Sequence, residues 1–476
     1  MAAATADAND RAFLGHPKGL AFLAFTEAWE RFSYYGMTAL LVLYMTKQLL
    51  LPGHVEHVAG FEAARAFFTH TYGGGQVMTV VALASAIYGF YSSTVYLTPM
   101  LGGLLADWVL GRTATVILGA CLMALGHFLM AFDVSFLLAL VCLMLGSGCL
   151  KGNLATQVGG LYASGDNRRA DAFQLYFLGI NAGVIFGPTA TGLLGQQFGW
   201  HYGFAAAGIG MLVSLVVYLI GRRHLPPDPP RGAKARAAAK ATRTPISTRE
   251  WQVMALLMLL LPVLALSIVG NNQIFNAYLL WADKSADLHL FGILVPTPLL
   301  VSVDSIVSVI TLALMVGFWR LWAKRFREPD EMGKIAIGCL FGAAGVACLA
   351  LGATIAANTG EKVGFGWLLA FHLLNDIGFA NVLPVGLALY ARSAPKAMAG
   401  FIVGLYYLHL WGGNTLVGLL GGLLEKMPAA QFWLLHAALV ATAGVVFFVV
   451  RLVFGRLLLG VPAQPDFVAA DAGRTP

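Results

Sequence analysis

The 476-residue sequence is short of charge. Lys, Arg, Asp and Glu together make up 11% of it, where a soluble domain carries roughly 25%. Hydrophobic residues account for 58%. So few charges cannot cover a water-facing exterior, which excludes soluble enzymes, nucleic-acid-binding modules and disordered scaffolds. Paired cysteines are also missing. The five Cys (Cys121, Cys142, Cys149, Cys339 and Cys348) all sit in apolar runs without CxxC spacing, so nothing points to a disulfide framework or a metal site. No secretory leader is expected, because residues 1–15 are rich in Ala and Asp and no small-residue cleavage site follows. Period-two alternation over about 10 residues, the mark of a transmembrane strand, is absent. No nucleophile–base pattern or metal-ligand spacing appears, so neither an enzyme nor a resident cofactor is expected. Gly73, Gly74 and Gly75 follow no strand and do not read as a phosphate cradle.

What remains is an all-α integral membrane protein. About twelve apolar stretches reach the roughly 20 residues a spanning helix needs. They lie near 19–50, 76–106, 113–132, 135–163, 172–196, 202–221, 251–281, 298–324, 334–357, 365–391, 397–424 and 430–455. Mid-span glycine pairs such as Gly102-Gly103 and Gly412-Gly413 fit closely packed helices. After the sixth span comes the hydrophilic segment 222–249, rich in Pro, Ala, Lys and Arg. It reads as a solvated connector. Six spans, a basic linker and six more spans is the layout of a two-bundle transporter. The divisions are a tail at 1–18, a first bundle at 19–221, the linker at 222–250, a second bundle at 251–456 and a tail at 457–476.

The Lys and Arg distribution orients the chain. With the N-terminus inside, only Lys47, Arg65, Lys284, Lys362 and Lys426 of the 30 bases lie outside, and Arg31 and Lys151 lie within spans. Both termini are therefore expected in the cytoplasm, in a cell membrane such as the bacterial inner membrane. The net charge of +7 belongs to those inner segments, not to a nucleic-acid partner. The expected partners are the bilayer and a small-molecule substrate, with the chain working as a monomer.

Charges inside spans are costly and usually face a cavity. The first span carries Glu27, Glu30, Arg31, Tyr34, Tyr35 and Thr38, offsets that share one helix face. Lys151 sits in the fourth span, Asn181 in the fifth, and Asn271, Asn272, Gln273 and Asn276 in the seventh. Asp304 lies in the eighth, and His372 and Asp376 in the tenth. Buried acids exceed buried bases, and an uncompensated buried carboxylate tends to take up a proton. That inventory suits a proton-coupled cycle, with Lys151 shared between carboxylates and released when one is protonated. Asp304 and Asp376 are candidates for an extra proton site. His372 and His409 could join a polar path, and His127 reads as a packing residue. Tyr406 and Tyr407 fit either a cavity wall or an aromatic core.

Several motifs resemble the proton-dependent oligopeptide transporters of the major facilitator superfamily. EAWERFSYYGM (Glu27 to Met37) resembles that family's first-helix motif, and FLGINAGVIFGP (Phe177 to Pro188) its fifth-helix signature. YLTPMLGGLLAD from Tyr96, LKGN from Leu150, LPVGLAL from Leu383 and GLYYLHLWGGN from Gly404 are similar to further family segments. The resemblance implies two six-helix bundles rocking around a central site. It implies proton coupling by Glu27, Glu30, Arg31 and Lys151. Tyr34, Tyr35, Tyr96, Asn181 and Lys151 match positions that contact peptide, and Tyr406 is a further candidate. The chain departs from the family pattern at Thr38 (usually Arg), Asn272 (usually Glu), Asp304 (often Asn) and Phe379 (usually Glu). The resemblance therefore implies a proton symporter for short peptides or peptide-like zwitterions. The altered clamp keeps a second possibility open, a proton-coupled carrier of a non-peptide solute such as an organic anion or modified amino acid.

Overall fold

The computed structural model describes residues 10–163, 166, 168–228, 246–290, 292–395 and 398–459. Most of the basic linker, half of the N-terminal tail and most of the C-terminal tail lie outside the described residues. The first six spans are α1 (Lys18–Tyr44), α3 (Val80–Leu105), α4 (Arg112–Leu129), α5 (Phe136–Gly160), α6 (Arg168–Phe198) and α7 (Trp200–Gly221), with α2 (Phe61–Thr71) between the first two. The seventh span is in pieces: α8 (Thr248–Ser267), α9 (Val269–Asn272) and α10 (Ala277–Ser285). A two-stranded hairpin, β1 (His289–Leu290) with β2 (Ile293–Leu294), follows. Then come α11 (Leu299–Trp322), α12 (Glu331–Thr359), α13 (Phe365–Ser393), the paired α14 (Ala399–Tyr406) and α15 (Leu408–Gly421), and α16 (Ala429–Leu459).

Local chemistry sets several of these ends. Ser247 and Glu250 form a reciprocal capping box at the start of α8. Asp330 accepts from the Gly333 amide to begin α12, and Gly360, at φ 75°, ends it. Among the described residues, ten helices are individually long and apolar enough to cross a bilayer. The other two spans are the charged first and the divided eleventh.

The seventh span is not the continuous helix that its apolar run suggests. Asn276 leaves helical geometry at φ −132°, ψ −104°, and buried amides replace the lost backbone bonds. Gln273 Oε1 accepts from the Ala277 amide and from Asn276 Nδ2, both at 3.2 Å. Gln273 Nε2 meets His436 Nε2 at 3.0 Å. Broken helices of this kind are tolerated in a membrane only where neighbours satisfy the freed groups.

Two buried apolar clusters show how the halves meet. One runs from α1 and α7 through Leu279 of α10 to Phe371 and Trp433, so it joins both halves. The other, around Leu257, Ile335, Tyr390 and Phe447, is built of second-half residues, with Tyr96 of α3 packed against it. The halves are thus tied together at the end that carries Lys47. There Lys47 Nζ contacts Asp283 at 2.7 Å, and Thr189 bonds Ser302 at 2.9 Å across the α6–α11 contact.

Helix α2 and the hairpin were not apparent in the apolar pattern. The exposed face of α2 mixes Glu62, Arg65 and His70 with Ala63, Ala66 and Phe67, and Phe68 anchors it to Phe90 of α3, with ring centroids 5.7 Å apart.

Candidate functional site

The first-helix face folds as its offsets suggest, with Glu27, Glu30, Arg31, Tyr34 and Thr38 all buried. Helix α6 lies backbone-close on that helix. A Cβ at Gly183 would stand 2.3 Å from the Ala28 carbonyl oxygen, and one at Gly187 would stand 2.4 Å from that of Phe32. Those two glycines explain the small residues of the fifth-helix segment.

Arg31 Nε donates to Glu27 Oε1 at 2.8 Å and lies 2.7 Å from Glu30 Oε2. The two carboxylates are not equivalent. Glu27 also accepts from the Tyr176 hydroxyl at 2.7 Å, whereas neither Glu30 oxygen has a hydrogen bond of good geometry among the described residues. Lys151 Nζ lies over the rings of Tyr34 and Tyr96, at 4.5 and 4.9 Å from their centroids. Aromatic faces hold an ammonium by cation–π attraction. Among the described residues no carboxylate lies within 4.0 Å of Lys151, so it is not shared between carboxylates here. The four charged groups sit behind the tyrosines, one layer back from the cavity.

That cavity, about 240 Å³ in volume, lies between the halves. Tyr34, Tyr35, Thr38, Tyr96 and Asn181 line it from the first half, and Asn272, Asp304, Asp376 and Phe379 from the second. Its volume falls just below the roughly 300–1,000 Å³ common for ligand pockets. The only charged side chains on its described wall are Asp304 and Asp376. The Thr38 hydroxyl is occupied by its own helix, donating to the Tyr34 carbonyl at 2.7 Å.

Tyr406 is a correction. It is fully buried, packs against Tyr390 and donates at 2.6 Å to the carbonyl of Leu383, a wall residue, while Tyr406 itself is not on the cavity wall. One residue on, Tyr407 is 41% exposed. Successive helical residues point about 100° apart, so the pair divides between core and surface. His409 is buried against Tyr406 and lies off the cavity wall, and His127 is fully buried.

The sequence did not reveal the setting of Asp304. Its Oδ1 is 2.8 Å from His372 Nδ1, and His372 Nε2 is 2.8 Å from the Tyr278 hydroxyl. Asp376 lines the same cavity at 1% exposure, and neither of its oxygens has a hydrogen-bond partner among the described residues. A polar residue inside each of three apolar spans was the available signal. The break that aims Tyr278 inward was not visible. Among the described residues no group of three metal-ligating side chains is assembled.

A family profile described as the POT family matches residues 113–250 and 234–435. The peptide transporter YePEPT of Yersinia enterocolitica subsp. palearctica is 28% identical over 489 residues, covering 89% of this chain and 91% of that one. A di-/tripeptide transporter of Lactococcus lactis subsp. lactis is 26% identical over 502 residues, covering 93% and 97%. Among solved structures, a mutant of the peptide transporter POT in complex with alafosfalin superposes with a TM-score of 0.79 at 25% identity, covering 96% and 99%. A POT family transporter in complex with 5-aminolevulinic acid gives 0.75 at 21%, covering 94% and 99%. On these grounds the chain, a multi-pass all-α transporter of the major facilitator fold and not an enzyme, belongs to the POT family.

Proposed function

We propose that the protein is a proton-coupled symporter that imports short peptides or peptide-like zwitterions by alternating access. The observation that carries this reading is the ion cluster behind the cavity tyrosines. Arg31 lies between Glu27 and Glu30, and Lys151 rests on Tyr34 and Tyr96. Glu30 is the better proton acceptor, because Glu27 already takes two hydrogen bonds and Glu30 takes none. A proton on Glu30 loosens its hold on Arg31 and shifts the field at Lys151. Lys151 then becomes available to a substrate carboxylate entering past Tyr34 and Tyr96. The similarity to a peptide transporter and a di-/tripeptide transporter supports this substrate class.

The substrate's amine end points the other way, toward Asp304 and Asp376 on the second-half wall. This polarity suits a zwitterion. It disfavours a simple organic anion, which would face two acids. It leaves room for an amine-bearing solute that is not a peptide, since Phe379 offers no charge where the family usually has one. The orientation follows the basic segments, with both termini and the linker in the cytoplasm of a bacterial inner membrane. The end held by Lys47 and Asp283 is then the outer gate, closed in this conformation. Each chain contains a whole cavity, so a monomer suffices.

Counterflow in proteoliposomes tests the reading. Vesicles preloaded with a mixed dipeptide and amino-acid pool should accumulate labelled dialanine, and an inward pH gradient should concentrate it. Exchange confined to amine-free anions, or indifference to the pH gradient, would refute it.

A further inference from the structure

The second half holds a chain of titratable groups that the cluster behind the tyrosines does not explain. Asp304 on α11, His372 on α13 and Tyr278 on α10 are joined by two contacts of 2.8 Å. All three are nearly or wholly buried. Asp376, one turn beyond His372, opens onto the cavity with both oxygens unpartnered among the described residues. The chain therefore leads from the cavity wall to a residue on the short helix α10.

Its surroundings are simple. Among the described residues, Asp304 of α11 and Tyr278 of α10 are the side-chain hydrogen-bond partners of His372, and Asp376 follows four residues on along α13 without a hydrogen-bond partner of its own. On the far side, α12 presents Gly345, which packs on the backbone of Phe371 and Asn375. Across the cavity stand Tyr34 and Tyr35, with Arg31, Glu27, Glu30 and Lys151 behind them. Among the described residues, no Lys or Arg lies within 4.0 Å of Asp304 or Asp376.

A histidine with both nitrogens engaged has two hydrogen-bonding states. When neutral, Nδ1–H donates to Asp304 and Nε2 accepts from the Tyr278 hydroxyl. When protonated, both nitrogens donate, so Tyr278 becomes the acceptor and its own proton must turn elsewhere. Proton uptake thus reverses the bond that holds α10. Helix α10 is nine residues long and is separated from α8 by the break at 268–276. At its other end Asp283 pairs with Lys47 at 2.7 Å and accepts from Thr297 at 2.8 Å. One short rigid piece therefore carries both the end of the proton chain and the outer gate.

We infer that Asp304, His372 and Tyr278, with Asp304 opening onto the cavity beside Asp376, form a second proton-binding site, so that the carrier moves two protons per substrate, one in each half, and the second acts on the outer gate through α10. The proton is taken from the outer solution when the gate is open and released to the inner one. This inference rests on the symport reading for its stoichiometry, but not for its effect on the gate.

Two measurements on the full chain test it. The first is the proton-to-dialanine ratio, from the membrane potential and pH gradient at which net flux in proteoliposomes vanishes. Wild type should give two, and His372→Gln, which keeps a hydrogen-bonding side chain but cannot titrate, should give one. The second uses spin labels at the exposed outer positions Glu62 and Glu361, with the distance between them followed across pH without substrate. Wild type should change its outer spacing with pH. His372→Gln should flatten that response. Tyr278→Phe should keep the ratio of two but blunt the gate response. A ratio of two together with a wild-type gate response in His372→Gln overturns the site. An unchanged gate response in Tyr278→Phe overturns the link through α10. If His372→Gln does not fold, Asp376→Asn replaces it with the same expectations. If dialanine does not move at all, the substrate reading fails and the distance measurement alone decides: a flattened response supports the site and a wild-type response overturns it.

Discussion

The two halves hold their buried charge in opposite ways. In the first, two carboxylates flank an arginine, and a lysine rests on two aromatic rings nearby. Acids and bases balance, and tyrosines screen them from the cavity. In the second, two aspartates stand on the cavity wall itself, and among the described residues their only hydrogen-bonding side-chain partner is a histidine, which pairs with Asp304. A balanced cluster stores a proton by rearranging ion pairs, since protonating one acid frees a base. An acid-rich cluster stores it directly, because adding a proton removes a repulsion. The first design is sensitive to the loss of any member. The second tolerates substitution better, but it determines what kind of substrate is attracted.

Removing the lysine should break this comparison most severely. Lys151→Ala leaves the first half with a net acid, and an uncompensated buried charge costs about 3–5 kcal/mol. Uptake of labelled dialanine driven by a pH gradient should fall to background in proteoliposomes; wild-type uptake would remove Lys151 from coupling.

The two glutamates come next. Glu30→Gln should abolish concentrative uptake while counterflow partly survives. Glu27→Gln should do the same and also lower the melting temperature, because Glu27 anchors both Arg31 and Tyr176 through hydrogen bonds of about 1–3 kcal/mol each. Thermal unfolding of the purified variants separates them, and equal melting temperatures would deny the asymmetry between the pair.

In the second half, Asp304→Asn removes a charge at nearly constant size. Binding of an amine-bearing dipeptide should weaken by about 1–3 kcal/mol, roughly 5- to 150-fold, and binding of its amine-free analogue should weaken less. Competition binding with the matched pair measures the difference. Equal losses would restrict Asp304 to its partnership with His372.

The smallest effect belongs to the gate between the halves. Lys47→Ala removes a half-exposed ion pair worth at most about 1 kcal/mol. It should modestly increase thiol-reagent access to a cysteine placed at Thr38, and high salt should produce the same shift in the wild type. Salt-independent access in the wild type would show that apolar packing alone closes that end.

Much of this was legible in the residues. Twelve apolar runs mark twelve spans because a bilayer admits few alternatives to a helix of that length. The charged face of α1 follows from offsets along a single helix. Positions that depend on another helix were harder to read. Amide residues in the seventh span hinted at polarity, but the break arises from Gln273 replacing backbone partners across α15 and α16, which only packing reveals. Tyr406 and Tyr407 are adjacent in sequence and point in different directions, and nothing local distinguishes core from surface. Asp304 and His372 are 68 residues apart in sequence, so their contact depends on how α11 crosses α13.

The unbalanced acids of the cavity wall also bear on electrical work. A membrane potential acts on each elementary charge with about 2.3 kcal/mol per 100 mV. Glu27 and Glu30 are offset by Arg31 and Lys151, so the charge that the empty carrier moves is that of Asp304 and Asp376, to the extent that they are unprotonated. With a cytoplasm-negative potential, turning that negative charge back toward the outside is downhill. On the proposed symport reading, Asp376 and Asp304 would let the voltage drive the return of the empty carrier as well as the entry of protons.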